Sequence, residues 1–232
     1  MNKHNNKYIW TFFLLTISAL FMIVSVPGIA VSDHVPKIGV ENSARTVPNA
    51  DGFIQRWLIL EPITASGDTQ NSVQRTVKTD VFPNQLKMIP KHGEKVTVGG
   101  SELTWHAVDT DEYNVNLYYF ASEIGKGADN ALFWTVVVVN CPEEMTNVRL
   151  AIGSNSASVW WVNGEEVIGI YGDRQCTIDD GVSKRLTLKK GPNVIRGAII
   201  NRSGAADFCA RILDSEGKPL KGYTVSLNET GK

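Results

Sequence analysis

Histidine and cysteine are scarce in this chain, and the common catalytic signatures are missing. Its 232 residues hold 4 histidines and 3 cysteines. No Gly-x-Ser-x-Gly elbow occurs, so the strand-to-helix nucleophile of the α/β-hydrolases is not available. The stretch "GSNSA" (153–157) has a similar composition, but its serines stand at the wrong offsets. "GDT" (67–69) and "GDR" (172–174) lack the serine of a Gly-Asp-Ser motif. No His/Cys spacing suits zinc. Beyond residue 50 the imidazoles are His92 and His106. His106 lies on the expected strand "LTWHAV" and reads as a structural residue, because a general base must have a nucleophile within reach. The adjacent acids Glu143-Glu144, Glu165-Glu166 and Asp179-Asp180 fall at expected turns and point apart. They read as solvated turn residues rather than as a glycosidase pair.

Charge of one sign is lacking too. The whole chain has 23 basic and 24 acidic residues, a net charge of −1. Residues 1–30 carry Lys3 and Lys7 and no acid, so beyond them 21 basic residues face 24 acidic ones, a net −3. No basic stripe is present to neutralise a phosphate backbone, which excludes a nucleic-acid partner.

Long apolar runs are confined to the N-terminus. Lys3 and Lys7 precede "YIWTFFLLTISALFMIVSV", followed by "PGIAVSDH" with Pro27, Gly28 and Ala30. Basic start, apolar middle and small-residue exit read as an export signal cut near Ala30. An uncleaved membrane anchor is the alternative, because about 20 apolar residues can span a bilayer. Either way the folded part is expected outside the cytoplasm: secreted, periplasmic or at the cell surface. There Cys141, Cys176 and Cys209 can oxidise. The odd count leaves at least one unpaired within the chain. Cys176 with Cys209 is the expected disulfide, since both lie in the strand-rich C-terminal half. Closing that loop would be worth roughly 3–4 kcal/mol. Three reduced thiols is the alternative.

After the export segment, residues 31–50 are polar and aperiodic, with Pro36 and Pro48, and read as a linker or extended arm. From Phe53 on, the pattern is β. "FIQRWLIL" (53–60), the hairpin "EKVTVGGSELTWHAV" (94–108), "NVNLYYF" (114–120), "ALFWTVVVV" (131–139) and "NVRLAIG" (147–153) read as strands, and 64–80 as a long polar loop. "SVWWV" (158–162), "EEVIGIY" (165–171), "KRLTLKK" (184–190), "NVIRGAIIN" (193–201), "FCARILD" (208–214) and "YTVSL" (223–227) follow. About ten short strands with regular turns predict an all-β sandwich or barrel. Roughly 180 residues fit one domain, placed at 51–228. "ALFWTVVVV", apolar on both faces, is expected at the centre.

Asn163-Gly164 joins "SVWWV" to "EEVIGIY", because a two-residue hairpin turn needs positive φ at both positions. Strand alternation puts Ser158, Trp160 and Val162 on one face and Val159 and Trp161 on the other. The paired tryptophans therefore cannot form one stacking platform. Trp160 is expected in the core with Val162, while Trp161 is the ring that can see solvent. Trp57, Trp105 and Trp134 lie inside strand patterns and are expected in the core.

Several of these stretches together resemble one family. "VRLAIGSNSASVWWVNGEEVIG" is similar to a pattern of bacterial polysaccharide-processing proteins: apolar strand, G-S-x-x, aromatic strand, N-G. "DDGVSKRLTLKKGPNVIRGAIIN" resembles its L-x-x-G-x-N-x-I segment, and "FCARILDSEGKPLKGYTVSL" its closing strand pair, with Arg211, Asp214, Gly217 and Pro219 in place. "FIQRWLILEPI" resembles its opening W-L-x-L-G-P-F, with Glu61 where glycine is usual, and "HGEKVTVGGSELTW" its linking hairpin. The resemblance covers most of 53–227 and is to the galactose-binding-like β-sandwich, a jelly roll. That module accompanies secreted glycoside hydrolases, polysaccharide lyases and carbohydrate esterases, including proteins named acetyl xylan esterases. A fold of this kind can bind sugar, bind protein or support.

What the resemblance implies is a non-catalytic carbohydrate-binding accessory module of an extracytoplasmic polysaccharide-degrading system. Its partner would be a polysaccharide or oligosaccharide, with a separate enzyme at hand, and it would meet a membrane only through an uncleaved N-terminal segment. A carbohydrate esterase and a structural or protein-docking module are the competing readings. Sugar binding asks for an aromatic face and polar groups on a loop held by rigid strands. The loop "IGIYGDRQCTIDD" (168–180) offers Tyr171, Asp173, Arg174 and Gln175, and Trp161 is the further candidate. No cofactor is required. A structural calcium could use Asp173, Asp179 or Asp180, since oxygen ligands suit it.

Overall fold

The apolar alternation that begins at Phe53 becomes two antiparallel sheets in the computed structural model, which describes residues 35–39, 45–65, 75, 79–155, 157–172 and 174–229. The expected export segment, much of the 31–50 stretch and much of the 64–80 stretch lie outside the described residues. The strands are β1 (Lys37–Ile38), β2 (Arg56–Leu60), β3 (Ile63–Thr64), β4 (Lys95–Val98), β5 (Ser101–Asp109), β6 (Val115–Asn116), β7 (Ala131–Cys141) and β8 (Met145–Ser154). They continue with β9 (Ser158–Val162), β10 (Glu165–Ile170), β11 (Gly181–Val182), β12 (Leu186–Leu188), β13 (Gly191–Asn201), β14 (Asp207–Leu213) and β15 (Thr224–Ser226). The larger sheet runs β1-β5-β2-β7-β13-β9-β10, with β3 and β15 also on β7 and β4 on β5. The smaller runs β11-β8-β14-β6, with β12 on β8. This is the expected all-β sandwich, and β7, buried along its whole length, is central as its unbroken apolar run predicts.

The core between the sheets is aromatic. Trp160 is fully buried, 5.9 Å from Trp57 and 5.4 Å from Phe208, ring centre to ring centre. Its indole N–H donates to Ser158 Oγ at 3.0 Å. The ring lies across Gly197 on the neighbouring strand, where a Cβ would stand 2.6 Å from it. Glycine there is a packing requirement: a flat indole needs an empty site beneath it. The turn after this strand behaves as read. Asn163 and Gly164 have φ of 52° and 87°. Asn163 does more than turn, since its Oδ1 accepts from Val194 N at 2.9 Å and its Nδ2 donates to Asn193 Oδ1 at 3.0 Å. The hairpin is thereby pinned to β13.

Two expectations need correcting. "NVNLYYF" is mostly helix: after the two-residue β6, a helix α1 spans Leu117–Glu123. Asn116 caps it, its side-chain oxygen accepting from Tyr119 N at 2.9 Å. Leu117, Phe120 and Ala121 then face the core, a helical spacing of three and four that the alternating reading missed. Trp161 is the second. It is only 4% exposed and lies face to face with Trp134, 5.4 Å apart at 16°. The outer face of the large sheet is not open to solvent. Phe82 sits edge-on to Trp105 and Trp134, and Leu86, Met88, Val96 and Val98 pack around it. Segment 81–90 is a third layer, closing an apolar cluster with Leu58, Leu60, Trp105, Trp134 and Trp161 of the sheet.

Candidate functional site

The outer face of the small sheet gathers polar side chains held in fixed geometry. Along β14 the residues Phe208, Ala210 and Ile212 join the core, leaving Asp207, Cys209 and Arg211 on the other side by alternation. Gly153 of β8 pairs with Cys209, and Ala151 with Arg211. Onto this face folds the 172–181 loop. Its backbone passes so close that a Cβ on Gly153 would meet Thr177 O at 2.2 Å and Cys209 Sγ at 2.9 Å. Arg174 N donates to Asn155 O at 2.9 Å, and β11 then joins β8 through Gly181 opposite Ile152.

The loop is also held by charge. Arg211 grips Asp179 through both Nε, at 2.9 Å, and Nη2. This carboxylate raises the guanidinium's pKa further. Arg174 pairs with Asp180. Arg211 also stands 4.9 Å over the Phe53 ring, which is edge-on to Tyr113 at 5.5 Å. Tyr113 is 38% exposed, and with Tyr118 it is one of the two well-exposed aromatic rings among the described residues. Beside it Asn114 Nδ2 donates to Asp207 Oδ1 at 3.3 Å. Burial pushes the Asp207 carboxyl up to about 6, and the Asn114 hydrogen bond works against that rise. Burial also raises the Tyr113 phenol, helped by the charges of Cys176, Cys209 and Asp207, which lie close to it.

The sequence-predicted candidates do not converge. Trp161 and Tyr171 both belong to the outer cluster of the large sheet, where Tyr171 lies on Gly169 and its hydroxyl is 3.5 Å from Glu166. Arg174 and the exposed Gln175 belong to the small-sheet side. Asp173 is outside the described residues. Asp179 and Asp180, expected as solvated turn acids, are each engaged by an arginine. Cys176 and Cys209 do come together as free thiols. Cys176 donating to Cys209 raises the first and lowers the second. Tyr113, Asn114 and Asp207 went unread. The available signal was an aromatic in the polar run "DTDEYN" (109–114) between two expected strands.

A second polar cluster surrounds His106. Its Nε2 lies 3.4 Å from Glu61 Oε1, Lys126 Nζ is 3.8 Å from Glu61 Oε2, and the His92 ring is 5.9 Å away. Burial lowers the His106 pKa, against the pull of Glu61. The Glu61 carboxylate thus pairs with Lys126 and meets the His106 ring. Two surface cavities, of about 560 Å³ beside Ile89, Pro90 and Glu229 and of about 240 Å³ beside Asn140 and Cys141, are lined by none of the predicted site residues.

No family model matches the chain, and no curated protein does. Among solved structures it is similar to a β-glucosidase from Kluyveromyces marxianus in complex with glucose, at 15% identity and a TM-score of 0.39, over 77% of this chain and 20% of that one. It is also similar to a GH31 α-xylosidase from Xanthomonas citri, at 10% identity and a TM-score of 0.30, over 83% of this chain and 18% of that one. The chain thus spans a fifth or less of the length of these enzymes.

Proposed function

We propose that the chain is a non-catalytic carbohydrate-binding module of an extracytoplasmic polysaccharide-degrading system, and that it binds at the edge formed by Tyr113 and the 172–181 loop. The observation that carries this reading is the setting of Tyr113. Its ring is exposed, braced by Phe53, over whose ring Arg211 lies, and flanked by the Asn114 amide and the Asp207 carboxyl. A braced ring stacks on the C–H face of a pyranose without losing much side-chain freedom. Amide, carboxyl and guanidinium groups nearby suit its hydroxyls. Arg174 and Gln175 stay in the reading as loop donors. Trp161 and Tyr171 leave it, because the first is covered and the second packs on the other sheet. Binding of this kind needs no cofactor, and the bond-breaking enzyme would be a separate partner.

The test is retardation of the full chain, purified in mild detergent, in native gels containing soluble xylan and other plant or host polysaccharides. Retardation by one of them is expected, weakened about tenfold by Tyr113→Ala and by Arg174→Ala. Unchanged retardation of Tyr113→Ala would sink the assigned edge. Absence of retardation on every glycan would favour a protein-docking module. Acetate released from acetylated xylan would favour an esterase.

A further inference from the structure

Binding at the edge beside Tyr113 leaves two groups of the same face without a task, the thiols of Cys176 and Cys209. Their placement is set by the backbone. Cys209 sits on β14 opposite Gly153, with its Sγ 2.9 Å from where a Gly153 Cβ would be. The carbonyl of Thr177, the residue after Cys176, occupies the same space at 2.2 Å. The loop is bonded to the sheet on either side of this point, at Arg174 to Asn155 and at Asp179 to Arg211. Cys176 is therefore held over Cys209, and each thiol is the strongest influence on the other's ionisation. Cys209 is 2% exposed while Cys176 is half-buried, so a reagent reaches the pair from the loop side. Cys141 is in a different place, 3% exposed and accepting from Asn193 Nδ2 at 3.8 Å.

We propose that Cys176 and Cys209 are a redox latch: a disulfide between them fixes the 172–181 loop on the small sheet and with it the binding edge beside Tyr113. The effect on binding rests on the proposed function, whereas the bond itself does not. The oxidant is a disulfide-bearing compound of the extracytoplasmic space. Cys176 loses its proton and attacks one sulfur of that disulfide, and one thiol leaves carrying a proton. Cys209 then loses its proton and attacks Cys176 Sγ in the mixed disulfide, and the second thiol leaves with that proton. Two protein thiols are oxidised and one external disulfide is reduced to two thiols. The odd cysteine, Cys141, stays reduced.

The experiment treats the full chain in mild detergent with glutathione disulfide or with dithiothreitol. The oxidised protein should lose the mass of two hydrogens, and its thiols titratable in denaturant should fall from three to one. Non-reducing peptide mapping should join Cys176 to Cys209. Hydrogen exchange over 172–181 should slow about tenfold, and the melting temperature should rise by roughly 5–10 °C. Cys176→Ser, made at the more exposed position, should abolish all five differences while folding as the reduced protein does. Three titratable thiols after oxidation, or a link through Cys141, would overturn the pairing. A bond that forms without slowing exchange in the loop would overturn the latch. Xylan retardation in gels should be several-fold stronger for the oxidised form. If the bond forms and exchange slows while no glycan is bound in either state, the latch stands and the proposed function falls.

Discussion

Replacing Gly153 by alanine tests how closely the site loop rests on its sheet. The added Cβ would stand 2.2 Å from Thr177 O, 2.9 Å from Thr177 C and 2.9 Å from Cys209 Sγ. Ordinary carbon contacts lie near 3.5 Å, so the loop must lift by about 1 Å. Two of the three close atoms are backbone, which cannot swing aside as a side chain would. Lifting the loop breaks the bond from Arg174 N to Asn155 O, worth about 1 kcal/mol. It also loosens the Asp179–Arg211 pair, whose side chains are 25% and 17% exposed, for about 1 kcal/mol more. The sum, about 2 kcal/mol, falls within the 1–3 kcal/mol usual for overpacking. For a domain of this size it lowers the melting temperature by roughly 4–8 °C. Because the loop borders the sheet, the strain is relieved there. Hydrogen exchange over 172–181 should rise about tenfold, while β7 and β13 keep their protection. Gly127→Ala is the control, since nothing lies within 4 Å of its Cβ position. If Gly153→Ala melted within a degree of the parent with unchanged exchange in the loop, the close docking described for this face would be refuted.

Trp161→Ala should cost about 3–5 kcal/mol in urea unfolding, because the ring is stacked under the third layer rather than exposed; a loss under 1 kcal/mol would mean that the cover is not formed in solution. Gly164→Ala should cost about 1 kcal/mol from left-handed strain alone, since the nearest atom to its Cβ position is 3.9 Å away at φ +87°. Asp207, with its folded pKa raised to about 6, carries a cost that appears as the carboxyl ionises in the fold. Stability from this group is therefore complete below the ordinary carboxylate pKa and is lost as pH rises toward 6, by at most about 3 kcal/mol. Asp207→Asn should remove that decline, and an unchanged stability profile between pH 4 and about 6 would contradict the burial assigned to it.

Much of the strand pattern was legible because one principle governs it: a residue on a strand faces the side opposite its neighbours. Trp160 in the core and the Asn163-Gly164 turn follow from that rule and from turn chemistry. Trp161 did not, because alternation says which face a residue takes and not what covers that face. The cover comes from "VFPNQLKMIP" (81–90), where Val81, Phe82, Leu86 and Met88 contact the sheet. Pro83 interrupts the run, and the residues that reach the sheet, Val81, Phe82, Leu86 and Met88, follow no single period. The helix at Leu117–Glu123 was hidden in a similar way, since Leu117 and the aromatics that follow also satisfy a strand pattern; the signal against it was the single cap Asn116. At the site, Arg174 and Gln175 were picked from the correct loop. Tyr113 and Asp207 join them from segments about 60 residues before and 30 after, a proximity that tertiary pairing alone creates.

The third layer bears directly on where recognition can occur. It closes over Trp105 and Trp134, whose indole N–H groups are buried without a partner, and over the Nε of Arg196, also unpartnered. Each such group costs about 1–3 kcal/mol when it leaves water. The guanidinium of Arg196 keeps Met88 O as a partner, and burial still lowers its pKa to about 10. The apolar contacts of Phe82, Leu86 and Met88 must outweigh these losses, so the tryptophans of this face serve cohesion. A sugar offered to them would have to displace a packed layer. On the small sheet the balance is reversed. Its polar groups are already paired with one another, Arg211 with Asp179 and Asn114 with Asp207, and the adjoining ring of Tyr113 is open. A ligand there would displace water rather than protein. That difference in what must be removed is the physical reason for placing recognition at Tyr113 and not at the paired tryptophans.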